Sequence, residues 1–383
     1  MTILQVNVRP AVRALAFPRS QRRENGNPLP TQPNGVESPK TGAKTIPQTF
    51  TSPPMTQTRL RPQPKNNESG LATNGHGGFR QAQSKPPILH QQIAWSLTPE
   101  TPVGRALVSA SQRLNGAGCE NPRLDAQVLL AHVLGADRTW LFAHHDHPLA
   151  ADQAEAFTDL VARRIRREPV AYLLGRKEFY GLDFAVDERV LIPRPETEML
   201  VDFLLAHVQA DAKRTFVVAD VGTGSGAIAV TTAVHAPNTR IYGLDISPDA
   251  LAVARENGRR LAANARLEFL TSDLLAALPE PADVIVANLP YVTDREYTDL
   301  QPEIREYEPQ LALTAGDKGL DVIKRLLNQV RQHLKPHGLV LLEIGHAQGE
   351  AVKRLAEEMR PRPQFVGLRQ DYSGHVRMVT IEF

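Results

Sequence analysis

The chain has 383 residues, enough for two or three domains, and its single cysteine, Cys119, excludes an intramolecular disulfide and a cysteine-based metal site. The net charge of +2 is unevenly distributed: residues 1–95 hold 12 Lys and Arg against 3 Asp and Glu, or +9, which leaves −7 for residues 96–383. A nucleic-acid enzyme usually carries a basic face on its folded part, so this balance argues against a direct nucleic-acid substrate. No stretch reaches the roughly 18 apolar residues needed to span a membrane, and we predict neither a membrane segment nor a metal site.

Residues 1–95 are expected to form a disordered tail. They contain 13 of the 30 prolines and are rich in Gln, Asn, Thr and Ser, so they cannot bury enough apolar surface to offset the entropy lost on ordering. The first 23 residues hold five arginines and no acid, which is also typical of organellar transit peptides. We therefore predict a cytoplasmic protein, with an organellar matrix as the alternative if this segment is a transit peptide.

A small helical domain is predicted for residues 96–176. Apolar residues recur at helical spacing after Thr101 and again from Leu124 to Leu134, and a third helix fits residues 151–167. The third helix ends in a basic run, which we interpret as a solvated helix end, with a partner-binding patch as the alternative. The single cysteine of this domain is expected to be a buried, small hydrophobic residue.

Residues 177–198 are predicted to form a β-hairpin linker. Residues 178–186 alternate in polarity around a central Gly181, as strands joined by a tight turn do. Two prolines then bracket Arg194 shortly before the next helix.

Strands and helices alternate from residue 199 to the C-terminus. The predicted strands are residues 216–221, 240–244, 267–270, 284–287 and 338–344, with two more near Phe365 and over 376–381. The predicted helices are residues 226–235, 248–261 and 319–333, and one more after Gln348. Repeated strand–helix units imply an α/β fold with a parallel sheet and helices on both faces.

A glycine-rich turn follows the first of these strands and is the first candidate site. Glycines in such a turn allow the backbone to approach a ligand closely, and the next strand ends in Asp245, which can accept hydrogen bonds from both ribose hydroxyls. The pattern predicts a nucleoside cofactor; the alternative is a tight turn next to a surface aspartate. The candidate cofactor-binding residues in the turn are Asp220, Gly222, Thr223, Gly224, Ser225 and Gly226.

Asp220 distinguishes between the possible cofactors. A carboxylate two residues before the first glycine repels a pyrophosphate but suits the ammonium group of a methionine moiety, so we predict S-adenosylmethionine rather than NAD. The third strand is followed by Asp273 and Leu274, which we expect to accept a hydrogen bond from the adenine amino group and to pack on the ring. The alternative for Asp273 is a helix N-cap.

The fourth strand runs directly into Asn288, Leu289, Pro290 and Tyr291. An amide nitrogen is a poor nucleophile because its lone pair is delocalised, and it needs acceptors that hold its N–H groups. We predict that the Asn288 side-chain oxygen and the Leu289 carbonyl accept these hydrogen bonds and that Tyr291 stacks on the planar amide. Orientation then supplies most of the catalysis, and no dedicated base is required. The alternative is a plain turn.

In combination these motifs resemble the HemK/PrmC family of protein-(glutamine-N5) methyltransferases. The resemblance extends from Thr101 to Phe383 and includes residues 168–175, 178–181, 191–198, 307–309, 316–320 and 343–345, and Gln348. It implies a Rossmann-like, seven-stranded class I methyltransferase sheet over residues 199–383. It also implies methyl transfer from S-adenosylmethionine to the glutamine of the Gly-Gly-Gln loop of class 1 peptide chain release factors.

The resemblance also assigns roles to residues. It implies that residues 222–226, Asp245, Leu274 and Asn288 bind the cofactor and that residues 288–291 are catalytic and hold the glutamine. Arg194 is a further candidate for substrate binding, and we expect a monomer. The sequence departs from the family at Leu289, where a proline is usual, and at Leu274, where some members have an aromatic residue.

Three alternatives remain at this point. The first is methylation of a glutamine in a ribosomal protein, and the second is an adenine-N6 nucleic-acid methyltransferase, because related tetrapeptides also hold an exocyclic amine. The third is a binding protein without catalytic activity.

Overall fold

The computed structural model describes residues 95–262, 266–371 and 373–383. The predicted tail therefore lies outside the described residues, except for Trp95. Trp95 and Leu97 pack against the core of the helical region, and the Trp95 indole donates a hydrogen bond to Ser109 Oγ (2.9 Å). No helix within these three ranges has the length and apolar character needed to cross a membrane.

Five helices form the first part of the described chain. They are α1 (Val103–Gly116), α2 (Pro122–Leu134), α3 (Arg138–Ala143), α4 (Ala151–Ile165) and α5 (Val170–Leu174). Helix α2 begins with a proline, which cannot donate a hydrogen bond but needs none in the first turn, and ends at Gly135 in the left-handed conformation. Leu114, Leu129 and Phe157 are fully buried between the helices. Cys119 is buried beside them, as predicted.

The basic run at the end of α4 is exposed at Arg166 but not at Arg164. Arg164 is only 6% exposed and forms ion pairs with Asp125 (2.8 Å) and with Glu303 (2.8 Å), so the interpretation of this run is wrong at that residue. Glu303 lies 139 residues further along the chain, which local sequence cannot indicate.

The hairpin follows α5. Strand β1 (Arg176–Phe179) pairs antiparallel with β2 (Leu182–Ala185) through a turn in which Tyr180 and Gly181 both have positive φ. A short 3-10 helix (Pro195–Thr197) then leads into α6 (Glu198–Gln209). All described residues belong to one compact unit, so the domain boundaries at 176 and 198 stay predictions.

The rest of the chain forms a seven-stranded sheet. Its strands are β3 (Phe216–Val221), β4 (Thr239–Asp245), β5 (Leu267–Thr271), β6 (Ala282–Ala287), β7 (Leu334–Glu343), β8 (Phe365–Gln370) and β9 (Val376–Glu382). The spatial order is β5-β4-β3-β6-β7-β9-β8, and β9 is antiparallel to both of its neighbours while the other pairs are parallel. The α/β class and the seven strands are therefore confirmed.

Helices cover both faces of this sheet, as predicted. Helices α6, α7 (Ala227–His235) and α8 (Pro248–Asn257, continued by a π-helical turn) lie on one face, and α11 (Asp321–His333) and α12 (Gly349–Glu357) lie on the other. Two short helices between β6 and α11, α9 (Asp294–Asp299) and α10 (Pro302–Tyr307), bury none of their residues. Side chains of β3 alternate between the faces. Phe216 and Val218 pack with α6 and α7, whereas Val217 and Ala219 pack with α11 and α12.

The strand order creates a crevice next to β3. The chain moves from β3 to β4 and β5 on one side, and then returns to place β6 on the other side of β3. Open α/β sheets bind ligands where the strand order reverses in this way, at the carboxyl ends of the strands. Gly222, after β3, and Asn288, after β6, are therefore placed at the edge of this crevice.

Candidate active site

The glycine turn between β3 and α7 lies close to the Asn288 segment. The backbone N–H groups of Gly222 and Thr223 both donate to the Leu244 carbonyl (2.8 and 3.0 Å), which curls the turn toward β4. Gly222 has a φ of +73°, and a Cβ there would lie 3.0 Å from Leu289 Cδ2. A side chain at this position would be strained and would also fill the space between the two loops.

Asp220 is buried beneath this turn. Its Oδ2 accepts hydrogen bonds from Thr223 Oγ1 (2.6 Å) and from the Ala229 backbone N–H (3.1 Å). Its Oδ1 has no hydrogen-bond partner among the described residues, although the side chain is only 1% exposed. Burial raises the pKa of this carboxyl group to about 7. An unpaired, buried carboxylate oxygen is a suitable partner for a cationic group.

Asp245 stands at the end of β4. Its two carboxylate oxygens accept hydrogen bonds from the backbone N–H groups of Gly224 and Ser247, each at 2.9 Å. Each oxygen keeps a second lone pair, so the group can still accept hydrogen bonds from two hydroxyls. Burial raises the pKa of Asp245 above its usual value, while the two backbone donors oppose that rise.

Asp273 and Leu274 follow β5. Leu274 is buried and has a φ of +55°, an uncommon conformation for a residue with a branched side chain. Asp273 is half exposed, and both of its oxygens pair with Arg325 Nη2 (2.7 and 2.5 Å). Arg325 lies on α11, and the sequence analysis did not identify it as a site residue.

These segments line one cleft of about 920 Å³, including the part open to solvent. Eight of the predicted site residues contribute to its walls: Gly222, Gly224, Asp245, Asp273, Leu274, Asn288, Leu289 and Pro290. The other four predicted cofactor residues do not line the cleft: Asp220, Thr223, Ser225 and Gly226. Thr223 holds Asp220, and Gly226 begins α7 with a φ of +81°.

The Asn288 side chain is fixed by hydrogen bonds that involve two buried residues. Its Nδ2 donates to Thr197 Oγ1 (3.0 Å), and Thr197 Oγ1 donates to Glu343 Oε2 (2.7 Å). Thr197 and Glu343 are almost completely buried. Burial raises the pKa of Glu343 to about 7.

Tyr291 is held through its backbone. Its carbonyl oxygen accepts a hydrogen bond from Gln348 Nε2 (2.9 Å), which also bonds to the Gly319 carbonyl (3.1 Å). A Cβ on Gly319 would clash with the Tyr291 carbonyl oxygen, so a glycine is required there. Burial raises the pKa of the Tyr291 phenol to about 12, and the hydroxyl therefore stays protonated.

A second, smaller pocket of about 600 Å³ adjoins the cleft. Asn288 and Leu289 line both cavities, and Arg194 and Tyr291 line only the second. Arg194 donates a hydrogen bond to the buried carboxylate of Glu308, which fixes the guanidinium at the pocket. The second pocket therefore contains the two predicted substrate residues that the cleft does not.

Two family models match the chain. The PrmC N-terminal domain matches residues 105–175, which include most of α1 and all of α2 to α5, and the methyltransferase small domain matches residues 197–305. A solved structure of a methyltransferase from Pyrococcus furiosus aligns at 18% identity with a TM-score of 0.40, over 58% of this chain and 98% of that one.

Curated relatives match most of their own length. A release factor glutamine methyltransferase from Koribacter versatilis is 42% identical over 257 residues, which cover 66% of this chain and 90% of that protein. Proteins of the same name are 44% identical in Moorella thermoacetica (66% of this chain, 88% of that one) and 39% identical in Rhodopirellula baltica (74% and 97%). The chain belongs to the release factor glutamine methyltransferase family.

The resemblance seen in the sequence is thus confirmed, and the structure adds residues to the site of this family member. Thr197, Glu343 and Gln348 fall in segments that carry the resemblance, but no local sequence pattern indicates their contacts. Thr197 bonds to residues 91 and 146 positions away along the chain, and Gln348 bonds to Tyr291, 57 positions away. Arg325 lay outside those segments and had no signal of its own.

The five-helix region is also joined to the second pocket. Glu303 on α10 pairs with both Arg164 and Arg167 at the end of α4. Leu300 and Ile304, on either side of Glu303, line the pocket. The segment between β6 and α11 therefore connects the helical region to the candidate substrate site.

Proposed function

We propose that this chain transfers a methyl group from S-adenosylmethionine to the side-chain amide nitrogen of the glutamine in the Gly-Gly-Gln loop of class 1 peptide chain release factors. The observation that carries the proposal is the position of Asn288 and Leu289, which form the wall shared by the large cleft and the smaller pocket. The name carried by the reported relatives supports the release factor as the substrate.

The described residues fit the cofactor. Gly222 leaves open a space that a Cβ would fill, and Asp220 Oδ1 lacks the hydrogen-bond donor that an ammonium group would supply. Asp245 can accept hydrogen bonds from the ribose hydroxyls, and Leu274 offers an apolar surface to the adenine. When bound, S-adenosylmethionine supplies a methyl group on a positively charged sulfur, which the amide nitrogen receives as the carbon–sulfur bond breaks.

The chain itself contributes binding and orientation. Asn288 Oδ1 and the Leu289 carbonyl accept the two N–H groups of the glutamine amide, and Tyr291 packs on its plane. Leu289 precedes a proline, which restricts it to extended conformations and keeps its carbonyl in place despite the departure from the family pattern. The methylated nitrogen then loses one proton to water. Holding the reactants in this geometry can supply an effective molarity of about 10⁵ M or more.

The test is methylation of a purified release factor with methyl-labelled S-adenosylmethionine, followed by mapping of the labelled residue by mass spectrometry. We expect label on the glutamine of the Gly-Gly-Gln loop and none on a target in which that glutamine is replaced by glutamate, since a carboxylate has no N–H to donate. Asn288→Ala should lower turnover by about 10²-fold or more and leave cofactor affinity within about tenfold. Efficient labelling of a ribosomal protein or of DNA in place of the release factor would refute the assignment.

A further inference from the structure

The hydrogen bonds that link Asn288 to Thr197 and Thr197 to Glu343 have no role in the function proposed so far. Strands β6 and β7 are parallel neighbours with Ala287 opposite Leu342, so the next positions, Asn288 and Glu343, lie side by side. Thr197, at the end of the 3-10 helix before α6, bonds to both of them. Three separate segments of the chain therefore meet at the Thr197 hydroxyl.

The single hydroxyl proton of Thr197 determines which way the Asn288 amide faces. A threonine hydroxyl has one proton, and here it is donated to the Glu343 carboxylate, which can only accept. The Thr197 oxygen is then an acceptor toward Asn288, so the amide must turn its Nδ2 toward Thr197 and its Oδ1 away. None of the described residues donates a hydrogen bond to that Oδ1, although Asn288 lines both cavities.

We propose that Thr197 and Glu343 are positioning residues that fix the orientation of the Asn288 carboxamide, so that it presents an acceptor, and not a donor, to the substrate. This proposal rests on the proposed function, because the substrate group in question is the glutamine amide. With Oδ1 presented, the site accepts an N–H group and repels a carboxylate. With the amide reversed, Nδ2 would face the substrate N–H, and the two donors would oppose each other.

The direction of the hydrogen bonds from Asn288 to Thr197 and from Thr197 to Glu343 depends on an ionised Glu343. A protonated or amidated side chain can donate to Thr197, which then turns its own proton toward Asn288 and favours the reversed amide. The charged and titratable groups that act on Glu343 are Glu196, Arg194, Arg377 and Tyr291. The pKa of Glu343 is raised to about 7, mainly by burial, so the proposed orientation is set above that pH and lost below it.

Three substitutions test the proposal on the full-length protein. Thr197→Val keeps the shape and removes the hydroxyl, Thr197→Ser keeps the hydroxyl, and Glu343→Gln replaces the obligatory acceptor with a group that can donate. We expect Thr197→Ser to retain turnover within about threefold, and Thr197→Val and Glu343→Gln to lower kcat by about tenfold or more, with little change in the affinity for S-adenosylmethionine. At saturating S-adenosylmethionine, which keeps Asp220 ionised, kcat of the wild type and Thr197→Ser should fall below about pH 7, and in Glu343→Gln this fall should disappear.

A second readout does not depend on activity. The side-chain N–H signals of Asn288, assigned by NMR through comparison with Asn288→Ala, should exchange slowly with solvent in the wild type and Thr197→Ser and rapidly in Thr197→Val. Wild-type kcat in Thr197→Val, or equal losses in Thr197→Ser and Thr197→Val, would overturn the proposal. If the wild type itself fails to methylate the release factor glutamine, the proposed function fails, and the NMR comparison still decides the orientation of the amide.

Discussion

Asp220 is a buried carboxylate whose ionisation affects both stability and binding. Its folded pKa of about 7 lies above its ordinary value of 3.8, so the folded protein binds a proton that the unfolded chain releases between those pH values. Without cofactor, this residue therefore lowers the free energy of unfolding as the pH rises from about 4 to 7. An ionised Asp220 is in turn the form that pairs with a cation.

Asp220→Asn should separate these two effects. Asparagine is neutral at every pH, so the cofactor-free variant should melt at least ~2 °C higher than the wild type at pH 8, and its melting temperature should fall less between pH 5 and 8. Its affinity for S-adenosylmethionine should be lower by about tenfold or more, because a charge-assisted hydrogen bond is lost. Melting curves and titration calorimetry measure the two quantities, and identical pH slopes in the two proteins would contradict the argument.

Asp245 gives a second prediction at the scale of one residue. Asp245→Ala should weaken the binding of S-adenosylmethionine by about 10- to 150-fold, since a hydrogen bond to a charged group contributes about 1.5–3 kcal/mol. Asp249→Ala is the matched control, because Asp249 is an exposed acid in the first turn of α8 and does not line the cleft. Unchanged affinity of Asp245→Ala in calorimetry would place the ribose elsewhere.

At the scale of the elements, the contact between α4 and α10, here called the joint, consists of ion pairs with little solvent exposure. The side chains of Arg164 and Glu303 are 7% and 12% exposed, and Glu303 also pairs with Arg167. Removing one partner from such a cluster leaves a buried charge without full compensation. The joint therefore depends on Glu303 more than a surface ion pair would.

Glu303→Ala should lower the free energy of unfolding by about 2–4 kcal/mol, because Arg164 keeps Asp125 while Arg167 loses its carboxylate. It should also raise the KM for the release factor more than it lowers kcat, since Glu303 lies between two residues of the second pocket. Glu306→Ala is the control on the same helix, where an exposed pair with Arg305 contributes less than about 1 kcal/mol. Equal stability of the two variants in urea melts would show that the cluster does not join the helices.

At the scale of the whole molecule, the N-terminal segment can be divided at Trp95. Removal of residues 1–94 should leave the melting temperature and turnover nearly unchanged, because their composition offers little apolar surface to pack. Removal of residues 1–99 should lower the melting temperature by several degrees, since it also deletes Trp95 and Leu97 from the helical core. Activity lost with the shorter truncation would mean that the tail has a role in the enzyme.

The features that the sequence determined are those with a local cause. Strand β3 was predicted to the residue, because a run of buried apolar residues that ends in a glycine turn leaves few other conformations. The glycine turn, Asp245 and the Asn288 segment were located by the same reasoning, since each lies at the carboxyl end of a parallel strand. Short helices such as α3, α5, α9 and α10 were missed because five or six residues are too few to show helical periodicity.

Only the tertiary structure decided which side chains act on one another. Arg325 reaches Asp273 across 52 residues, and Glu343 reaches Thr197 across 146. Such pairs depend on how strands are ordered in the sheet and how loops return over its edge. The hydrogen-bonding capacity of a residue is a property of its type, but its direction is set by the partners that folding brings within reach, and for Asn288 those partners come from two distant segments.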